Sequence, residues 1–319
     1  MKNDGLITEN RFTHIPVLSR EVLEYLAVGD GPVRVIDGTL GSGGHSCLIL
    51  KANRQAELLG IDRDGDALIR AGKVLEFAAD RILLMRGNFS DLADLAAEAG
   101  WASADAVLLD IGVSSPQIDD PRRGFSLRMD GPLDMRMDTR SPSTASRILN
   151  YESEAELGRI FYEFGEVKAS RKLARAIVER RAEKPFTMTL EFADFCEQIL
   201  GRSRPGKLPT PTQCFQALRI AVNDELGELR RGLEAAVSIL APGGRLAVIC
   251  FHSLEDRIVK NFFRDQAREC ICPPGFPVCI CHHQAVLKVI TTRPVTAQED
   301  ELRENRRSAS AKLRVAEKL

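Results

Sequence analysis

Four glycines follow a short apolar segment in the sequence Val35-Ile-Asp-Gly-Thr-Leu-Gly-Ser-Gly-Gly-His45. Glycine has no Cβ, so such a loop lets the backbone approach a bound ligand closely. A dinucleotide-binding loop has the spacing Gly-x-Gly-x-x-Gly, and after Gly41 and Gly43 its third glycine would stand where this chain has Ser46. The missing glycine weakens the interpretation as a pyrophosphate-binding loop.

Acidic residues stand where the neighbouring strands are predicted to end. Asp37 ends the first strand and Asp62 ends the second, and a carboxylate there can accept hydrogen bonds from both hydroxyls of a ribose. A glycine loop without full phosphate geometry suits a nucleoside that carries an amino-acid tail. These features favour S-adenosylmethionine over NAD, and the alternative is a tight strand-to-helix turn with ordinary surface aspartates.

A third aspartate, Asp110, ends a later apolar run and precedes the loop Ile-Gly-Val-Ser-Ser-Pro-Gln117. Ligands of open α/β sheets bind outside the carboxyl ends of the strands, so Asp110 is expected at the ligand. A transferred methyl group needs an acceptor atom aligned with the sulfonium carbon, and this loop is suited to hold one. Two roles stay open for Asp110, a catalytic one towards an acceptor amine and a binding one towards the cofactor.

Two Cys-x-Cys units, Cys270-Ile-Cys272 and Cys279-Ile-Cys281, are separated by six residues and followed by His282 and His283. Four thiolates on a proline-rich loop would suit a structural zinc site. Cysteines that alternate with isoleucine also suit half-buried small hydrophobic residues on a pair of strands. The sequence leaves both interpretations open and assigns no other metal.

Short apolar runs alternate with helix-compatible stretches in the first third of the chain, which predicts a parallel sheet with helices on both faces. Strands are predicted over residues 33–37, 58–62, 82–85, 106–110, 245–251, 285–291 and 311–316. Helical patterns replace strands from about residue 115 to 212, and a long helix is predicted over residues 216–240.

This order predicts an α/β fold, a Rossmann-like doubly wound sheet with an inserted helical domain. Residues 1–115 and 213–319 are expected to form the two parts of the sheet domain. Residues 116–212 are expected to form the helical insertion, with a role in RNA recognition.

The composition, with 44% hydrophobic and 28% charged residues, is typical of a globular protein and excludes disordered, collagen-like and coiled-coil classes. No apolar run is long enough to cross a membrane, and residues 1–13 lack the apolar core of a signal peptide. We therefore expect a cytoplasmic protein with no membrane partner. With a net charge of −1, a nucleic-acid surface would require local concentration of the 44 basic residues.

Eight blocks of the sequence together resemble one bacterial family. They are His14-Ile-Pro-Val-Leu18, Asp37-Gly-Thr-Leu-Gly-Ser-Gly-Gly-His45, Gly60-Ile-Asp-Arg-Asp64, Asp110-Ile-Gly-Val-Ser-Ser-Pro-Gln117, Arg123-Gly-Phe-Ser126, Gly131-Pro-Leu-Asp-Met-Arg-Met-Asp138, Phe215-Gln-Ala-Leu-Arg219 and Phe251-His-Ser-Leu-Glu-Asp-Arg257. The family is the small-subunit ribosomal RNA cytosine-N4 methyltransferases, called MraW or RsmH. The resemblance extends from His14 to Lys318 and implies a class I S-adenosylmethionine-dependent methyltransferase fold with an inserted helical domain. It implies methyl transfer to the exocyclic amine of a cytosine in the decoding centre.

The resemblance also implies individual roles near the cofactor. It places Gly43, Gly44 and His45 along the cofactor, Asp62 at its ribose, Phe89 beside its adenine, and Asp110 and Gln117 nearby. One departure is visible, because Gln213-Cys214 stands where the family usually has Arg-Thr. Any role of that family arginine is therefore in doubt here.

Basic residues are concentrated in the predicted insertion. They are Arg122, Arg123, Arg128, Arg136, Lys168, Arg171, Lys172, Arg175, Arg180, Arg181, Arg202, Arg204 and Lys207. Helical spacing places the four from Lys168 to Arg175 on one face. Such a face is usually only solvated, but beside a nucleoside site it favours contact with RNA phosphates. A homodimer is left open.

Two alternative functions are weighed against the RNA methyltransferase. An amino methyltransferase acting on DNA usually has a Pro-Pro-aromatic tetrapeptide after the fourth strand, where this chain has Ser114-Ser-Pro-Gln117. A non-enzymatic RNA-binding or assembly factor would have no reason to keep Asp62, Asp110 and the glycine loop. Both alternatives are disfavoured.

Overall fold

A seven-stranded sheet forms the centre of the structure, a computed structural model that describes residues 16–202, 209–270, 272, 278, 280, 281 and 283–319. The strands are β1 (Val33–Asp37), β2 (Ala56–Asp62), β3 (Ile82–Arg86), β4 (Ala104–Asp110), β5 (Leu240–Cys250), β6 (Leu287–Val289) and β7 (Lys312–Lys318). They lie in the order β3-β2-β1-β4-β5-β7-β6. Strands β1 to β5 pair in parallel, and β7 is antiparallel to both β5 and β6.

The α-helices cover both faces of this sheet and also form a separate helical region. They are α1 (Ser19–Leu26), α2 (Gly44–Ala52), α3 (Gly65–Val74), α4 (Leu92–Glu98), α5 (Ser115–Asp119), α6 (Ala145–Tyr151), α7 (Glu154–Glu163), α8 (Ser170–Glu183), α9 (Thr189–Leu200), α10 (Thr210–Asn223), α11 (Glu225–Ile239), α12 (Ser253–Gln266) and α13 (Glu299–Glu304). Short 3-10 helices span Glu76–Arg81, Phe89–Asp91, Pro121–Arg123 and Arg306–Ser310.

Alternate residues of each central strand enter different hydrophobic cores, because successive side chains of a strand point to opposite faces. In β4, Val107 and Leu109 pack with α4, α11 and α12, whereas Ala106 and Leu108 pack with α1, α2 and α3. The predicted fold, a doubly wound α/β sheet of the class I methyltransferase type, is confirmed. The strand order changes direction between β1 and β4, and ligands of such sheets bind beside that point.

The helical region has a hydrophobic core of its own, with buried side chains that range from Leu133 to Val222. Aromatic rings fill it, since Phe192 contacts Phe161, Phe186 and Phe215 at centroid distances of 5.7 to 6.3 Å. The division predicted at residues 116 and 213 stays a prediction. The packing assigns α10, with Phe215, to the helical core.

The prediction of a single helix over residues 216–240 is wrong. Helix α10 ends at Asn223 and α11 begins at Glu225, because Asp224 adopts a left-handed backbone with φ +47°. Leu218 of α10 packs in the helical core, whereas Leu229 of α11 packs against the sheet. One straight helix cannot serve two cores, and aspartate tolerates the left-handed turn between them better than most residues.

The last predicted strands differ from the structure mainly in length. The strand predicted over residues 285–291 is limited to β6, and the one predicted over residues 311–316 extends to Lys318 as β7. Within the part of the chain that the structure describes, no helix is long and apolar enough to cross a membrane.

Candidate active site

The carboxyl ends of β1, β2 and β4 bring three predicted site residues to one edge of the sheet, here called the ligand edge. Asp37, Asp62 and Asp110 are the last residues of these strands. The strands are parallel neighbours in the sheet, so their ends meet at the same side. The glycine loop connects β1 to α2 at this edge.

Asp62 holds the glycine loop in place. Its carboxylate accepts hydrogen bonds from the backbone N–H of Gly41 at 2.7 Å and of Asp64 at 2.8 Å. Gly41 and Gly43 have φ of +55° and +78°, which residues with a Cβ rarely adopt. Burial raises the pKa of Asp62, and the two backbone hydrogen bonds oppose that rise. The residue as a whole is still partly exposed, and contact of Asp62 with a ligand stays a prediction.

Gly44 and Phe89 have packing reasons for their identities. A Cβ at Gly44 would lie 2.8 Å from a side-chain carbon of Pro16. Phe89 is only 6% exposed, and its ring lies so close to Gly232 of α11 that a Cβ there would be 2.3 Å away. Contact of Gly43, Gly44 or Phe89 with a cofactor stays a prediction.

His45 and Asp110 come together at the start of α2. The His45 Nε2 lies 3.5 Å from the Asp110 carboxylate, and the backbone N–H of Asp110 donates to Thr39 Oγ1 at 2.6 Å. Both ring nitrogens of His45 and Oδ1 of Asp110 are buried without a hydrogen-bond partner in the described residues. Buried polar atoms normally have partners, so these atoms fit a ligand that supplies polar groups.

The ligand edge is negatively charged. Asp37, Asp62 and Asp110 form no ion pair with a lysine or arginine among the described residues, although His45 lies beside Asp110. Burial raises the pKa of Asp37 to about 6, against the hydrogen bond that Ser46 Oγ donates to it at 2.6 Å. Such a site disfavours a pyrophosphate and fits the sulfonium and ammonium groups of S-adenosylmethionine.

Gln117 belongs to a network that joins the ligand edge to the helical region. Its Oε1 accepts the N–H of Ser114 at 3.0 Å, and its Nε2 donates to Asp64 at 2.9 Å. Arg123 donates to the same Asp64 oxygen at 2.8 Å and also to the carbonyls of Arg136 and Met137. Burial raises the pKa of Asp64, but the hydrogen bonds from Gln117 and Arg123 outweigh it and lower the pKa overall.

Sequence reasoning assigned no role to Asp64. The available signal was its position as the second acidic residue of Gly60-Ile-Asp-Arg-Asp64, directly before α3, where its side chain accepts the N–H of Asp66. Arg123, one of the basic residues concentrated in the predicted insertion, is only 13% exposed at its side chain and is held by Asp64.

A second buried network shapes the loop between β5 and α12. The carboxylate of Glu255 is fully buried and accepts the N–H groups of Phe251 and His252. Arg219 forms two hydrogen bonds of 2.8 Å with Glu225 nearby. Burial raises the pKa of Glu255, but His252 and Arg219 lower it further than burial raises it. This network connects α10 and α11 to the ligand side of β5.

Many basic side chains of the predicted insertion, some of them exposed, pair with other groups of the protein. The pairs are Arg122 with Asp120, Arg136 with Asp134, Lys172 with the Ile199 carbonyl, Arg175 with Glu154, Arg180 with Glu191, Arg181 with the Leu149 carbonyl and Arg202 with Glu197. Arg128, Lys168 and Arg171 are exposed and form no ion pair with another described residue. Arg204 and Lys207 lie outside the described residues. Among the described residues, fewer basic side chains of the insertion are without a partner in the protein than the sequence alone indicates.

The sequence of residues 11–319 matches the MraW methylase family. The chain belongs to this family. It is 50% identical over 309 residues to the ribosomal RNA small subunit methyltransferase H of Carboxydothermus hydrogenoformans, covering 97% of this chain and 98% of that protein. The protein of the same description from Heliobacterium mobile is 50% identical over 311 residues, covering 97% and 99%. The MraW resemblance found in the sequence is confirmed.

Within this MraW family member, the departure at Gln213-Cys214 lies in α10. Cys214 is fully buried in the helical core, which also contains the buried thiol of Cys196. A small apolar side chain fits that core.

The raised pKa of Asp37 predicts a pH-dependent cost to folding. The folded protein favours the protonated carboxyl of Asp37. The resulting contribution to the free energy of unfolding is fully present below the ordinary pKa of 3.8 and is lost as pH rises through about 6. A rise of this size corresponds to about 3 kcal/mol. We therefore expect Asp37→Asn to gain stability relative to the unmodified protein, by up to about 3 kcal/mol, between about pH 4 and pH 7.5. Urea denaturation across this range measures the difference.

Asp64→Asn provides the matched control. The pKa of Asp64 in the unmodified protein is lowered, so the stabilisation by its carboxylate is present at neutral pH and is lost on acidification. The Asp64→Asn defect should therefore grow as pH rises, the opposite trend in the same assay. A constant stability difference between Asp37→Asn and the unmodified protein would contradict the burial argument.

Proposed function

We propose that the protein transfers a methyl group from S-adenosylmethionine to the exocyclic N4 of a cytosine in the decoding centre of small-subunit ribosomal RNA. The observation that carries the proposal is the ligand edge, where three strand-end aspartates have no lysine or arginine partner among the described residues. A cationic methyl donor suits that charge. Membership of the MraW family and relatives named as small-subunit ribosomal RNA methyltransferases support small-subunit ribosomal RNA as the acceptor, and the cytosine N4 follows the family resemblance of the sequence. Such a substrate is found in the cytoplasm.

The proposed cofactor contacts follow the family resemblance. They are Gly43, Gly44 and His45 along the cofactor, Asp62 at the ribose hydroxyls, Phe89 at the adenine, and Asp110 and Gln117 nearby. When bound, S-adenosylmethionine supplies an electrophilic methyl group on a positively charged sulfur. The chain's part is to orient the donor and acceptor and to exclude water between them. Gln117 would act through Asp64, to which its amide is bound.

Asp110 is the proposed catalytic residue. The N4 lone pair of cytosine is delocalised into the ring, so attack is helped when a carboxylate accepts an amino hydrogen and stabilises the positive charge that develops on nitrogen. Asp110 is 28% exposed, and its Oδ1 is without a hydrogen-bond partner in the described residues. The competing role is binding of the cofactor's amino group.

The start of α8 is the proposed RNA-binding surface. Glu166, just before this helix, accepts a hydrogen bond from Ser253 at 3.3 Å, and Ser253 follows the ligand end of β5. Lys168 and Arg171 lie within the five residues that follow Glu166, and both are exposed. Their charges are therefore placed beside the ligand edge, where they would meet RNA phosphates.

The decisive experiment is incubation of the chain with methyl-labelled S-adenosylmethionine and unmodified small ribosomal subunits. Nucleoside analysis should recover the label as N4-methylcytidine. Free ribosomal RNA and double-stranded DNA serve as parallel acceptors, which separates the proposed function from the DNA alternative. Label in DNA alone, or no transfer to any acceptor by a folded protein, would overturn the proposal and would favour one of the two alternatives.

Asp110→Asn tests catalysis against binding. A catalytic role predicts that single-turnover methylation stays about tenfold to a hundredfold slow even at saturating S-adenosylmethionine, since acid–base assistance contributes at least this much. Asp62→Asn is the comparison. If Asp62 binds the ribose, this substitution should lower the affinity for S-adenosylmethionine by roughly one to two decades, and the methylation rate should recover at saturating S-adenosylmethionine. Full recovery of Asp110→Asn at saturation would show that Asp110 only binds the cofactor.

The double substitution Lys168→Glu and Arg171→Glu tests the RNA surface. Because the proposed contacts are to phosphates, methylation should fall, the defect should change with salt, and cofactor affinity should stay unchanged. Arg54→Glu is the control, since Arg54 is also exposed but precedes β2 at the opposite edge of the sheet. Equal activity of the double variant and Arg54→Glu across a salt series would mean that the surface is only solvated.

A further inference from the structure

The loop between α12 and β6 brings cysteines from both Cys-x-Cys units together. The Sγ atoms of Cys270, Cys272 and Cys281 all lie within 4.8 Å of one another. Cys281 lies 11 positions after Cys270 in the sequence. We infer that these three thiolates bind one structural zinc ion. Cys279 and His282 lie outside the described residues and are not part of the inferred ligand set.

The spacing of the sulfur atoms fits zinc coordination. The Zn–S bond of about 2.3 Å places neighbouring sulfurs of a tetrahedral site about 3.8 Å apart. The Sγ atoms of Cys270 and Cys281 are separated by 3.7 Å. A disulfide between them would require about 2 Å. The backbone N–H of Cys272 also points to the Cys270 sulfur at 3.4 Å, a contact that favours the thiolate form.

Hydrophobic packing does not explain the convergence of these cysteines. Cys270 is exposed, Cys272 and Cys281 are partly exposed, and all three lie outside the strands. The described residues between them, Val278 and Ile280, are 68% and 63% exposed. The alternative of half-buried residues on a pair of strands is therefore wrong for the described cysteines, and a bound metal gives the loop the internal attachment that apolar side chains do not.

Both ends of the loop are anchored to the sheet domain. The N–H of Val286 donates to the carbonyl of Gln266 at 2.9 Å, and His283 Nε2 lies 3.1 Å from the Asp265 carbonyl. These contacts bring the two ends of the loop together before any metal binds, which reduces the entropy cost of assembling a site from Cys270, Cys272 and Cys281.

The zinc site is far from the ligand edge. Helix α12 starts beside that edge and has 14 residues, so its end at Gln266 is about 21 Å along the helix. The loop then enters β6 at Leu287, which pairs with Lys318 of β7. The neighbouring residue Glu317 pairs with Arg245 of β5, five residues before the end of β5 at Cys250, so the loop joins the sheet away from the ligand edge. The ion is therefore assigned a structural role, and zinc loss should leave cofactor binding intact.

Metal analysis of the full chain tests this inference. Protein purified under reducing conditions from zinc-supplemented medium should carry about one zinc ion per chain by mass spectrometry of the metal. Cys272→Ser should lower zinc affinity at least about tenfold. Cys47→Ser is the matched control, because Cys47 in α2 is also partly exposed and lies outside the cluster. It should keep the full zinc content.

Cobalt substitution gives a second readout that does not depend on metal acquired during expression. Added Co²⁺ should produce the intense thiolate-to-cobalt charge-transfer absorption in the unmodified protein and in Cys47→Ser. Cys272→His, which keeps a metal ligand, should still bind Co²⁺ with a weaker charge-transfer band. Reduced protein without stoichiometric zinc and without charge-transfer absorption, or undiminished zinc in Cys272→Ser, would overturn the inference.

Discussion

One buried carboxylate, Asp64, connects the ligand edge to the helical region. It accepts hydrogen bonds from the Gln117 amide of α5 and from the Arg123 guanidinium of the segment that leads into the helical region. Its own position is fixed by Asp62, because the Asp64 backbone N–H donates to the Asp62 carboxylate. A charged hydrogen bond in a buried place contributes about 1.5 to 3 kcal/mol. Asp62 therefore holds both the glycine loop and Asp64, and the Asp64 carboxylate in turn positions α5 and the segment from Arg123 to Met137.

The aspartates of the ligand edge divide into two electrostatic classes. Asp64 is neutralised by Arg123, and its pKa is lowered. Asp37 and Asp62 accept hydrogen bonds from neutral donors and have raised pKa values, since burial dominates. Raised pKa values mean that the unneutralised carboxylates destabilise the protein at neutral pH, and the proposed cationic methyl donor would offset that cost on binding. Perturbed pKa values are common at functional sites. Carboxylates without a cationic partner suit a cation and repel a pyrophosphate, which distinguishes this glycine loop from a pyrophosphate-binding loop.

The sequence predicts the sheet and its ligand edge well because both depend on local signals. Alternating apolar runs, strand-end aspartates and a glycine loop are visible in short windows, and all of them occur where predicted. The break at Asp224 was not predicted, because Leu218 and Leu229 continue one helical period while they face two different cores. The amphipathic pattern records that each residue is buried, but it does not record which core buries it.

Site residues that act in pairs were also hard to predict. Arg123 looks like a surface cation in the sequence, and only the fold reveals Asp64, 59 positions earlier, as its partner. The same applies to the cysteines, because the sequence leaves open whether Cys270 and Cys281 come together. In the structure they do, and the hydrogen bond between Gln266 and Val286 holds the two ends of their loop together. Long-range pairing of this kind depends on topology, which residue spacing does not encode.

A second connection fixes the orientation of the helical region. Arg63, between Asp62 and Asp64, donates to the carbonyl of Asn223 at 3.2 Å. The Asn223 side chain accepts the N–H of Met137 at 2.8 Å and donates to the Met135 carbonyl at 2.7 Å. Consecutive residues of the β2–α3 turn thus bind the helical region at two separate points, Arg123 through Asp64 and Asn223 through Arg63. Two attachments from neighbouring residues of this turn restrict rotation of the helical region relative to the ligand edge more than one attachment would. Such a restriction suits methyl transfer, because donor and acceptor must be aligned before the reaction.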